Sequence, residues 1–261
     1  MVDYGLNGKT AVITGAGSGM GESAAYMLAE QGCRVALIGR RYSNVCEVRD
    51  KIRAGKGEAE AYSCDVGDEE AVKALADEVL KLFGRVDILL NVAGVEVDFE
   101  NTGGMENYGL GDPFAIPKEL WDKVLDTNLR GHFNTMKYFV PSMQKNRFGR
   151  IVNVTSSTAF NVPLGSAVYV ASKAAANTQT YLFAKKLGPD GITVNAIAPG
   201  YVETPMQESA TQEIRDRISQ MTPLRRICMP DDIARVIMFF AQENLFVTGQ
   251  VVVVDGGNFP R

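Results

Sequence analysis

The sequence predicts a doubly wound α/β fold, a parallel sheet of about seven strands with helices on both faces. Apolar runs rich in Val and Ile alternate with longer amphipathic stretches, as in repeated strand–helix units. The runs lack polar alternation, which is expected of parallel strands covered on both faces. The alternation continues from Thr10 to Asp255 without a linker, so we expect residues 1–261 to form a single domain. The predicted strands are Thr10–Thr14, Arg34–Ile38, Ala59–Ser63, Val86–Leu90, Arg150–Thr155, Thr193–Ile197 and Val251–Val254.

The chain carries 31 acidic and 27 basic residues, a formal net charge of −4, and these charges are interspersed. It has no block of basic residues of the kind that binds nucleic acid or anionic membranes, and we expect neither partner. No apolar run reaches the ~18–20 residues of a membrane span, and residues 1–10 are too polar for a signal peptide. This composition favours a cytoplasmic protein that binds small, neutral or mildly polar molecules.

His132 is the only histidine, which excludes Ser-His-Asp hydrolases and metal sites that need two histidine ligands. The four cysteines are scattered, without a CxxC pair or the spacing of a zinc site or disulfide framework. We therefore expect reduced, mostly buried thiols and no metal site. The cysteines are Cys33, Cys46, Cys64 and Cys228.

A glycine-rich segment, TGAGSGMG at residues 14–21, follows the first predicted strand and opens a helix. Such a turn presents backbone N–H groups and a helix N-terminus to a pyrophosphate, and its glycines let the backbone approach closely. Counted from Gly15 the pattern is GxxxGxG and not GxGxxG, so by itself it is equally compatible with a tight strand–helix turn. The candidate cofactor-binding residues here are Gly15, Ser18, Gly19, Met20 and Gly21.

The end of the second predicted strand bears on the choice of dinucleotide. Enzymes that use NAD place an acidic residue there to bind the adenosine ribose, whereas an arginine accommodates the 2′-phosphate of NADP. Here the strand ends in Gly39-Arg40-Arg41, without an acid. The sequence therefore favours NADP(H) over NAD(H), with Arg40 as the first candidate for the phosphate and Arg41 as the second. The alternative is that both arginines are solvated surface charges.

Two Tyr-x-x-x-Lys segments, Tyr169/Lys173 and Tyr181/Lys185, lie in a predicted helical stretch around Ala167–Leu187. A spacing of four puts each pair on one helix face, where the ammonium lowers the pKa of the phenol and makes it usable near neutral pH. An unperturbed phenol, with a pKa of about 10, would be a poor base. Each pair is therefore a candidate acid/base.

The positions of the two pairs distinguish them. Twelve residues separate the pairs, which corresponds to about 18 Å along a helix and a rotation of about 120°, so they cannot serve one site. Only Tyr169 has a serine, Ser156, at the end of the preceding predicted strand, and strand ends hold the ligand in open α/β sheets. We therefore predict that Tyr169 and Lys173 are functional and assign Tyr181 and Lys185 to packing and surface charge.

Together these motifs resemble those of the short-chain dehydrogenases/reductases, over a stretch from Lys9 to Gly257. Each motif is weak alone, but their order and spacing are specific. The resemblance implies a Rossmann-like fold and a homotetramer. The motifs are TGAGSGMG at residues 14–21, Asp65-Val66, NVAG at residues 91–94, Asn128 in DTNLRG, Ser156 in VNVTSS, YVASK at residues 169–173, NAIAPGYVETPM at residues 195–206 and VDGG at residues 254–257.

The resemblance implies catalytic roles for four residues. Ser156 would polarise the substrate carbonyl, and Tyr169 would donate or remove the proton. Lys173 would hold the nicotinamide ribose and lower the tyrosine pKa, and Asn128 would order a water that links Lys173 to solvent. A developing alkoxide needs donors of this kind.

The resemblance also implies cofactor contacts beyond the glycine turn. Asp65, with Val66 beside it, would bind the adenine, and Asn91 would support the ribose region. Tyr169 and Lys173 would contact the nicotinamide end. Ala93 and Gly94 in the NVAG motif are also implied cofactor residues. The residues implied to hold the nicotinamide carboxamide are Pro199, Gly200, Val202 and Thr204.

The implied activity is hydride transfer between NADP(H) and a ketone or secondary alcohol. Enoyl reductases space the tyrosine and lysine more widely, and sugar-nucleotide epimerases carry an extra C-terminal region, so both fit this sequence less well. Two alternatives stay open, a 3-oxoacyl-thioester reductase and a non-catalytic dinucleotide-sensing protein. The sensor fits less well because all four implied catalytic residues are present.

Two segments that follow strands, 95–115 and 205–228, interrupt the strand–helix rhythm and are predicted to form the substrate pocket. Apolar residues at roughly helical spacing in the second predict a short helix, which favours a bulky apolar or cyclic ketone such as a hydroxysteroid. Acidic residues in the first disfavour a highly anionic substrate such as an acyl carrier adduct. The alternatives are a surface insertion and packing against the sheet. The apolar residues are Met206, Ile214, Ile218 and Met221, and the acidic ones are Glu96, Asp98, Glu100 and Glu106.

Overall fold

The computed structural model describes residues 4–96, 116–161, 166–208 and 210–259. Seven strands form one parallel sheet, and helices lie between them in the chain, which confirms the predicted fold class. The strands are β1 Thr10–Thr14, β2 Arg34–Gly39, β3 Ala59–Ser63, β4 Ile88–Asn91, β5 Gly149–Val154, β6 Ile192–Pro199 and β7 Val251–Val254. The helices are α1 Gly19–Glu30, α2 Tyr42–Ala54, α3 Glu69–Phe83, α4 Lys118–Leu125, α5 Gly131–Asn146, α6 Ala167–Leu187, α7 Gln212–Met221 and α8 Pro230–Ala241.

The strand order across the sheet is β3-β2-β1-β4-β5-β6-β7. From β1 the chain adds strands in one direction, and from β4 it adds them in the other. The connections that leave β1 and β4 therefore diverge, and this divergence opens a crevice at the carboxyl ends of these strands. In the register of the sheet, Thr14 at the end of β1 lies opposite Ile38 on one side and Asn91 on the other.

Two hydrophobic cores lie on opposite faces of the sheet, because successive side chains of each strand alternate between them. In β1, Ala11 and Ile13 pack with α1, α2 and α8, whereas Val12 packs with α3, α5 and α6. All five residues of β1 are buried, as expected of a central parallel strand. Within the described ranges, no helix is both long and apolar enough to cross a membrane.

A row of buried, hydrogen-bonded side chains, which we call the polar ladder, runs from α5 over β4 and β5 to α6 beneath the crevice. The Thr135 hydroxyl of α5 donates to Asn91 Oδ1 of β4 at 2.6 Å, and Asn91 Nδ2 donates to Asn153 Oδ1 of β5 at 2.9 Å. Asn153 Nδ2 then donates to the Thr180 hydroxyl of α6 at 2.9 Å. All four residues are fully buried, so the ladder satisfies polar groups that would otherwise destabilise the core. It joins α5 to α6, the helix that carries both Tyr-x-x-x-Lys pairs.

A π-helical turn, Asp126–Arg130, joins α4 to α5. Such turns are rare and occur frequently at functional sites, because the extra residue rotates a side chain out of the regular α-helical position. Here the turn contains Asn128, which is fully buried.

Candidate active site

A cleft with a volume of about 500 Å³ lies at the carboxyl ends of β1, β2 and β4. Its walls include most of the residues that the sequence predicted to bind a dinucleotide. It lies where the strand order predicts a ligand site, beside the connections that diverge from β1 and β4. The predicted residues in its walls are Gly15, Ser18, Gly19, Met20, Gly21, Arg40, Arg41, Asp65, Val66, Ala93, Gly94 and Thr204.

The glycine turn forms one wall of the cleft and leads directly into α1, which begins at Gly19. Gly19 adopts a φ of +56°, and a Cβ there would lie 3.0 Å from Thr204 Cγ2. Glycine therefore allows both the left-handed backbone and the close approach of the segment that follows β6. The first-turn N–H groups of α1 have no partner within the helix and suit an anionic pyrophosphate.

The Thr14 hydroxyl fixes the turn that follows β4. It accepts hydrogen bonds from the backbone N–H groups of Val92 at 3.0 Å and Ala93 at 3.1 Å, and it donates to the Leu90 carbonyl at 3.3 Å. These bonds hold the segment 92–94 beside the glycine turn. Thr14 belongs to the glycine motif, but its role could not be predicted from the sequence because its partners are 76 to 79 positions away in the chain.

The far end of the cleft contains the two arginines that follow β2. Arg40 and Arg41 are exposed and line the cleft. Asp65 is also exposed, and its carboxylate accepts a hydrogen bond from Gly67 N at 2.9 Å, which shapes the turn after β3. Val66 beside it is buried. Asn44 and Cys64 line the same end of the cleft but were not predicted, since neither belongs to a quoted motif.

Three of the predicted residues converge at the inner end of the cleft, where Gly94 forms part of the wall and Asn128 and Lys173 lie behind it. A Cβ at Gly94 would lie 3.3 Å from Lys173 Nζ and 3.4 Å from Asn128 Oδ1. Glycine at this position therefore lets the chain pass close to the ammonium and the amide oxygen. The ammonium is a donor of the kind that the hydroxyl groups of the implied cofactor ribose need.

Lys173 is 3% exposed, and its ammonium donates to the Val154 carbonyl at the end of β5 at 3.0 Å. The ammonium lies 5.6 Å from the centre of the Tyr169 ring. Desolvation by burial lowers the pKa of Lys173 to about 8, and the Glu96 carboxylate opposes this shift. The pair predicted from the sequence is thus close together, with its lysine shielded from water.

Ser156 is 7% exposed, lies just beyond β5 and forms the N-cap of the short 3₁₀ turn Ser157–Ala159. Its hydroxyl oxygen accepts hydrogen bonds from Thr158 N at 3.3 Å and from the Thr158 hydroxyl at 2.9 Å. These contacts fix the position of the Ser156 oxygen. The serine and Lys173 therefore both lie at the carboxyl end of β5.

Asn128 is held by the segment that follows β4. Its Oδ1 accepts from Val95 N at 2.8 Å, and its Nδ2 donates to the Val95 carbonyl at 2.8 Å and to the Ser172 hydroxyl at 3.2 Å. Both ends of the amide are thus engaged, so the side chain is fixed beside Lys173. The amide makes two hydrogen bonds to the Val95 backbone and one to Ser172 of α6, so it connects α6 to the segment that follows β4.

The second Tyr-x-x-x-Lys pair lies elsewhere. Tyr181 is 42% exposed, and Lys185 is exposed. Both are on the C-terminal half of α6, away from its N-terminus at Ala167.

Some predicted cofactor residues do not line the cleft. Asn91 is fully buried beneath it in the polar ladder. Pro199 is the last residue of β6, and the backbone N–H of Gly200 donates to the Val254 carbonyl at 3.1 Å. Val202 is buried and pairs with Cys228 in an isolated parallel bridge. Pro199, Gly200 and Val202 thus fix the chain that leads to Thr204 at the cleft.

The predicted substrate segments are described only in part. Residues 97–115, with Asp98, Glu100 and Glu106, lie outside the described residues. In the second segment, the predicted helix is α7, which buries none of its residues. Arg215 anchors α7 through a salt bridge to Glu203 at 3.0 Å. Met206 precedes the helix in a 3₁₀ turn, Pro205–Gln207, and lines the cleft.

The thiols of all four cysteines are free. In the part of the chain that the structure describes, no three histidine, cysteine or acidic side chains are grouped to hold a metal ion. His132 is buried, and desolvation together with the charge of Lys173 lowers its pKa to about 3. The imidazole is therefore neutral at physiological pH.

Comparison with known proteins places this geometry in a family. A family model described as enoyl-(acyl carrier protein) reductase matches residues 15–258. A curated relative, the 3-oxoacyl-[acyl-carrier-protein] reductase FabG of Thermotoga maritima, is 35% identical over 97% of this chain and 98% of its own length. The uncharacterized oxidoreductase YxbG of Bacillus subtilis is 34% identical over 97% of this chain and 91% of its own.

Solved structures agree with this assignment. A putative NAD(P)-dependent gluconate 5-dehydrogenase from Beutenbergia cavernae, with NADP bound at low occupancy, superposes with a TM-score of 0.88, 34% identity and 98% coverage of both chains. A short-chain type dehydrogenase/reductase from Mycobacterium marinum superposes with a TM-score of 0.87, 29% identity and 98% coverage of both chains. The chain therefore belongs to the short-chain dehydrogenase/reductase family, and it is an oxidoreductase that binds a nicotinamide dinucleotide and acts on CH–OH or C=O groups.

Proposed function

We propose that this protein is an NADP(H)-dependent reductase of 3-oxoacyl thioesters. The observation that carries the carbonyl chemistry is the convergence of Gly94, Asn128 and Lys173 at the inner end of the cleft, beside Tyr169. The substrate class is supported by relatives named 3-oxoacyl-[acyl-carrier-protein] reductase, from Thermotoga maritima and Staphylococcus epidermidis, each 35% identical to this chain. These relatives favour the thioester over the bulky ketone that the apolar pattern of residues 205–228 suggested.

The protein's own residues hold the carbonyl and move one proton. The bound cofactor supplies the hydride. Ser156 and Tyr169 donate hydrogen bonds to the substrate oxygen, and Tyr169 transfers its proton to the developing alkoxide. The Lys173 ammonium stabilises the phenolate that remains, because an opposite charge nearby lowers a phenol's pKa. Asn128, fixed by Val95, keeps the environment of the lysine in place.

The preference for NADP(H) rests on the end of β2. Gly39 offers no carboxylate to the ribose hydroxyls, while Arg40 and Arg41 are exposed at the wall of the cleft, where a guanidinium can pair with a 2′-phosphate. The NADP in the Beutenbergia cavernae structure supports the same choice.

A second candidate substrate is a bulky apolar or cyclic ketone such as a hydroxysteroid. The observation that favours it is the exposure of two methionines in or near α7: Met206 is 52% exposed and Met221 is 66% exposed. Exposed apolar side chains at the rim of a site offer an adaptable contact surface for an apolar ligand.

One panel of substrates tests these readings. Oxidation of NADPH and of NADH is followed with acetoacetyl-coenzyme A, a steroid ketone and 5-ketogluconate. We expect the highest kcat/KM with the thioester and NADPH. A higher value with the steroid ketone would replace the thioester by the second candidate. Tight NADPH binding without turnover of any ketone in a broader panel would favour the dinucleotide-sensing alternative.

We also propose that residues 1–261 act as one domain and assemble as a homotetramer. The family resemblance supports the tetramer, and the continuous seven-stranded sheet supports the single domain. Light scattering at micromolar protein should give four times the chain mass, and a monomer mass would overturn the tetramer.

A further inference from the structure

Glu96 lies two positions after Gly94 and is linked to the helix that carries the proton donor. Its Oε1 accepts a hydrogen bond from the Ser166 hydroxyl at 2.9 Å. Ser166 is the N-cap of α6, and its hydroxyl oxygen accepts a hydrogen bond from Tyr169 N at 3.3 Å. Two consecutive hydrogen bonds therefore connect the Glu96 carboxylate to the backbone of Tyr169. From the sequence, Glu96 was expected only to disfavour anionic substrates; its link to α6 could not be predicted because Ser166 is 70 positions away in the chain.

This position suits a negatively charged carboxylate and gives it an orientation. The N-terminus of the 21-residue helix α6 carries a partial positive charge, which stabilises an anion beside it. The Ser166 hydroxyl adds a hydrogen bond to the charged form. Glu96 is also half-buried, so solvent screens its charge less than it would at the surface.

Glu96 acts on Lys173 across the site. Its negative charge raises the pKa of the ammonium and so opposes the effect of burial. From α5, His132 also interacts with Lys173, but the imidazole is neutral because burial lowers its pKa to about 3. The carboxylate that favours the charged form of Lys173 is therefore Glu96.

Other charged groups on the elements that pack against α6 are engaged elsewhere or exposed. On the π-helical turn, Asp126 and Arg130 form a salt bridge with each other at 3.3 Å. On α4, Lys118 pairs with Asp122, and Glu119 and Lys123 are exposed. The two salt-bridged pairs carry no net charge, so the effects of their members on the site largely cancel.

A negative charge at Glu96 favours the protonated form of both Lys173 and Tyr169, so its effect on carbonyl reduction has the same direction through either residue. The Lys173 ammonium lies 5.6 Å from the centre of the Tyr169 ring, and two titratable groups this close influence each other's protonation. A nearby negative charge raises the pKa of an ammonium because it stabilises the cation, and raises the pKa of a phenol because it destabilises the phenolate. Carbonyl reduction needs both groups protonated, so Glu96 extends the active range toward higher pH.

We propose that Glu96 is a positioning residue that sets the upper pH limit of carbonyl reduction by Tyr169 and Lys173. The inference rests on the proposed roles of Tyr169 and Lys173 and not on the identity of the substrate. Any ketone that the wild-type protein reduces with NADPH can therefore report on it.

The first experiment compares pH profiles of kcat/KM for NADPH-dependent reduction. In Glu96→Gln the alkaline limb should move to lower pH by about half a unit to one unit, because one negative charge near the pair is lost. Glu96→Asp keeps the charge and should restore most of the wild-type limb. Ser166→Ala keeps the carboxylate but frees it, and should shift the limb in the same direction by less. Glu70→Gln, a change of equal charge at an 82% exposed side chain, should leave the profile unchanged.

The second experiment needs no substrate. The near-ultraviolet absorbance of phenolate is followed during a pH titration of the NADPH complexes of the wild-type protein and of each Glu96 variant. Each protein is also titrated with Tyr169→Phe added. The difference between the two titrations gives the transition of Tyr169 alone. We expect the Tyr169 transition of Glu96→Gln to lie below that of the protein with Glu96. A rate that falls equally at all pH values, with an unmoved phenolate transition, would overturn the proposal and leave Glu96 a structural role. A shifted transition without turnover of any ketone would uphold it and count against the proposed function instead.

Discussion

At the scale of single residues, the proposed chemistry depends on a lysine that the fold removes from water. Lys173 is 3% exposed, and its ammonium has the Val154 carbonyl, the Tyr169 ring and the backbone at Gly94 as neighbours. Burial lowers its pKa to about 8, which remains high enough for a mostly protonated side chain at neutral pH. A charge in so apolar a position acts strongly on a phenol nearby, because little water screens it.

The two tyrosines of the Tyr-x-x-x-Lys segments differ in what their loss should cost. Tyr169→Phe keeps the ring but removes the proton donor, so we expect kcat to fall by a hundredfold or more, on the order of a lost general acid, with NADPH binding retained. Tyr181→Phe is the matched control, because this tyrosine is 42% exposed and belongs to the second pair. Equal losses of kcat in both variants would contradict the choice of Tyr169.

At the other end of the cleft, we predict that Arg40 sets the preference for NADP(H). A guanidinium–phosphate contact contributes about 1.5–3 kcal/mol, so Arg40→Ala should raise the KM for NADPH about tenfold or more. The KM for NADH should stay within about twofold, since NADH has no 2′-phosphate, and it serves as the internal control. Unchanged NADPH kinetics, or a wild-type preference for NADH, would speak against this role.

At the scale of elements, the polar ladder links α5 to β4, β4 to β5 and β5 to α6, and so fixes the two helices on the sheet. Asn153 is one of its two central members, and its truncation leaves the buried Nδ2 of Asn91 without its acceptor and removes one hydrogen bond from Thr180, whose hydroxyl keeps the Ala176 carbonyl at 3.0 Å. An unsatisfied buried group costs about 1–3 kcal/mol and a lost hydrogen bond about 0.5–1.5 kcal/mol. Asn153→Ala should therefore lower the free energy of unfolding by roughly 2–4 kcal/mol in urea titrations at matched protein concentration.

Thr178→Ala provides the control for this experiment. Thr178 lies on the same helix as Thr180, two positions earlier, but is exposed. Its loss should change the free energy of unfolding by no more than about 0.5 kcal/mol. A similar effect of both substitutions would mean that the ladder adds no stability of its own.

The elements that could be predicted from the sequence are those whose pattern is local. Three strands have the predicted bounds, and α6 spans the predicted stretch Ala167–Leu187, because apolar periodicity determines both. β4 begins at Ile88 and not at Val86, since strand ends depend on pairing with neighbours. The π-helical turn had no local signal at all.

The same division holds for the candidate site. The glycine turn, the two arginines and the Tyr169/Lys173 pair were found from motifs and spacing. The hydrogen bonds of the Thr14 hydroxyl to Val92 and of Glu96 to Ser166 join residues 70 to 78 positions apart in the chain. Such contacts depend on strand order and register, and a single sequence carries no direct record of them.

At the scale of the whole molecule, the only histidine should control stability in mildly acidic solution. His132 has a pKa of about 3 in the folded protein against an ordinary 6.5, so the unfolded chain binds one more proton between these values. The free energy of unfolding should then decrease as pH falls below 6.5, by about 1.4 kcal/mol per pH unit from this group. Between pH 6.5 and 5 most carboxylates keep their charge and contribute little.

Urea titrations from pH 7 to pH 5 measure this slope. His132→Leu cannot gain a proton at this position, so its free energy of unfolding should be nearly constant over the same range. The comparison uses the slope with pH and not the absolute stability, which the altered packing changes in its own right. A wild-type protein without the slope would show that the buried imidazole is protonated in the folded state.

The strand order also has a consequence for how the chain folds as it is synthesised. β2 pairs with β1, β3 with β2, β4 with β1, and each of the last three strands with the one before it. Every strand after β1 therefore leaves the ribosome with its partner already made and joins an open edge of the sheet. No strand has to be inserted between two others, so a nascent chain of any length is free to extend an ordered sheet while the remainder is being translated.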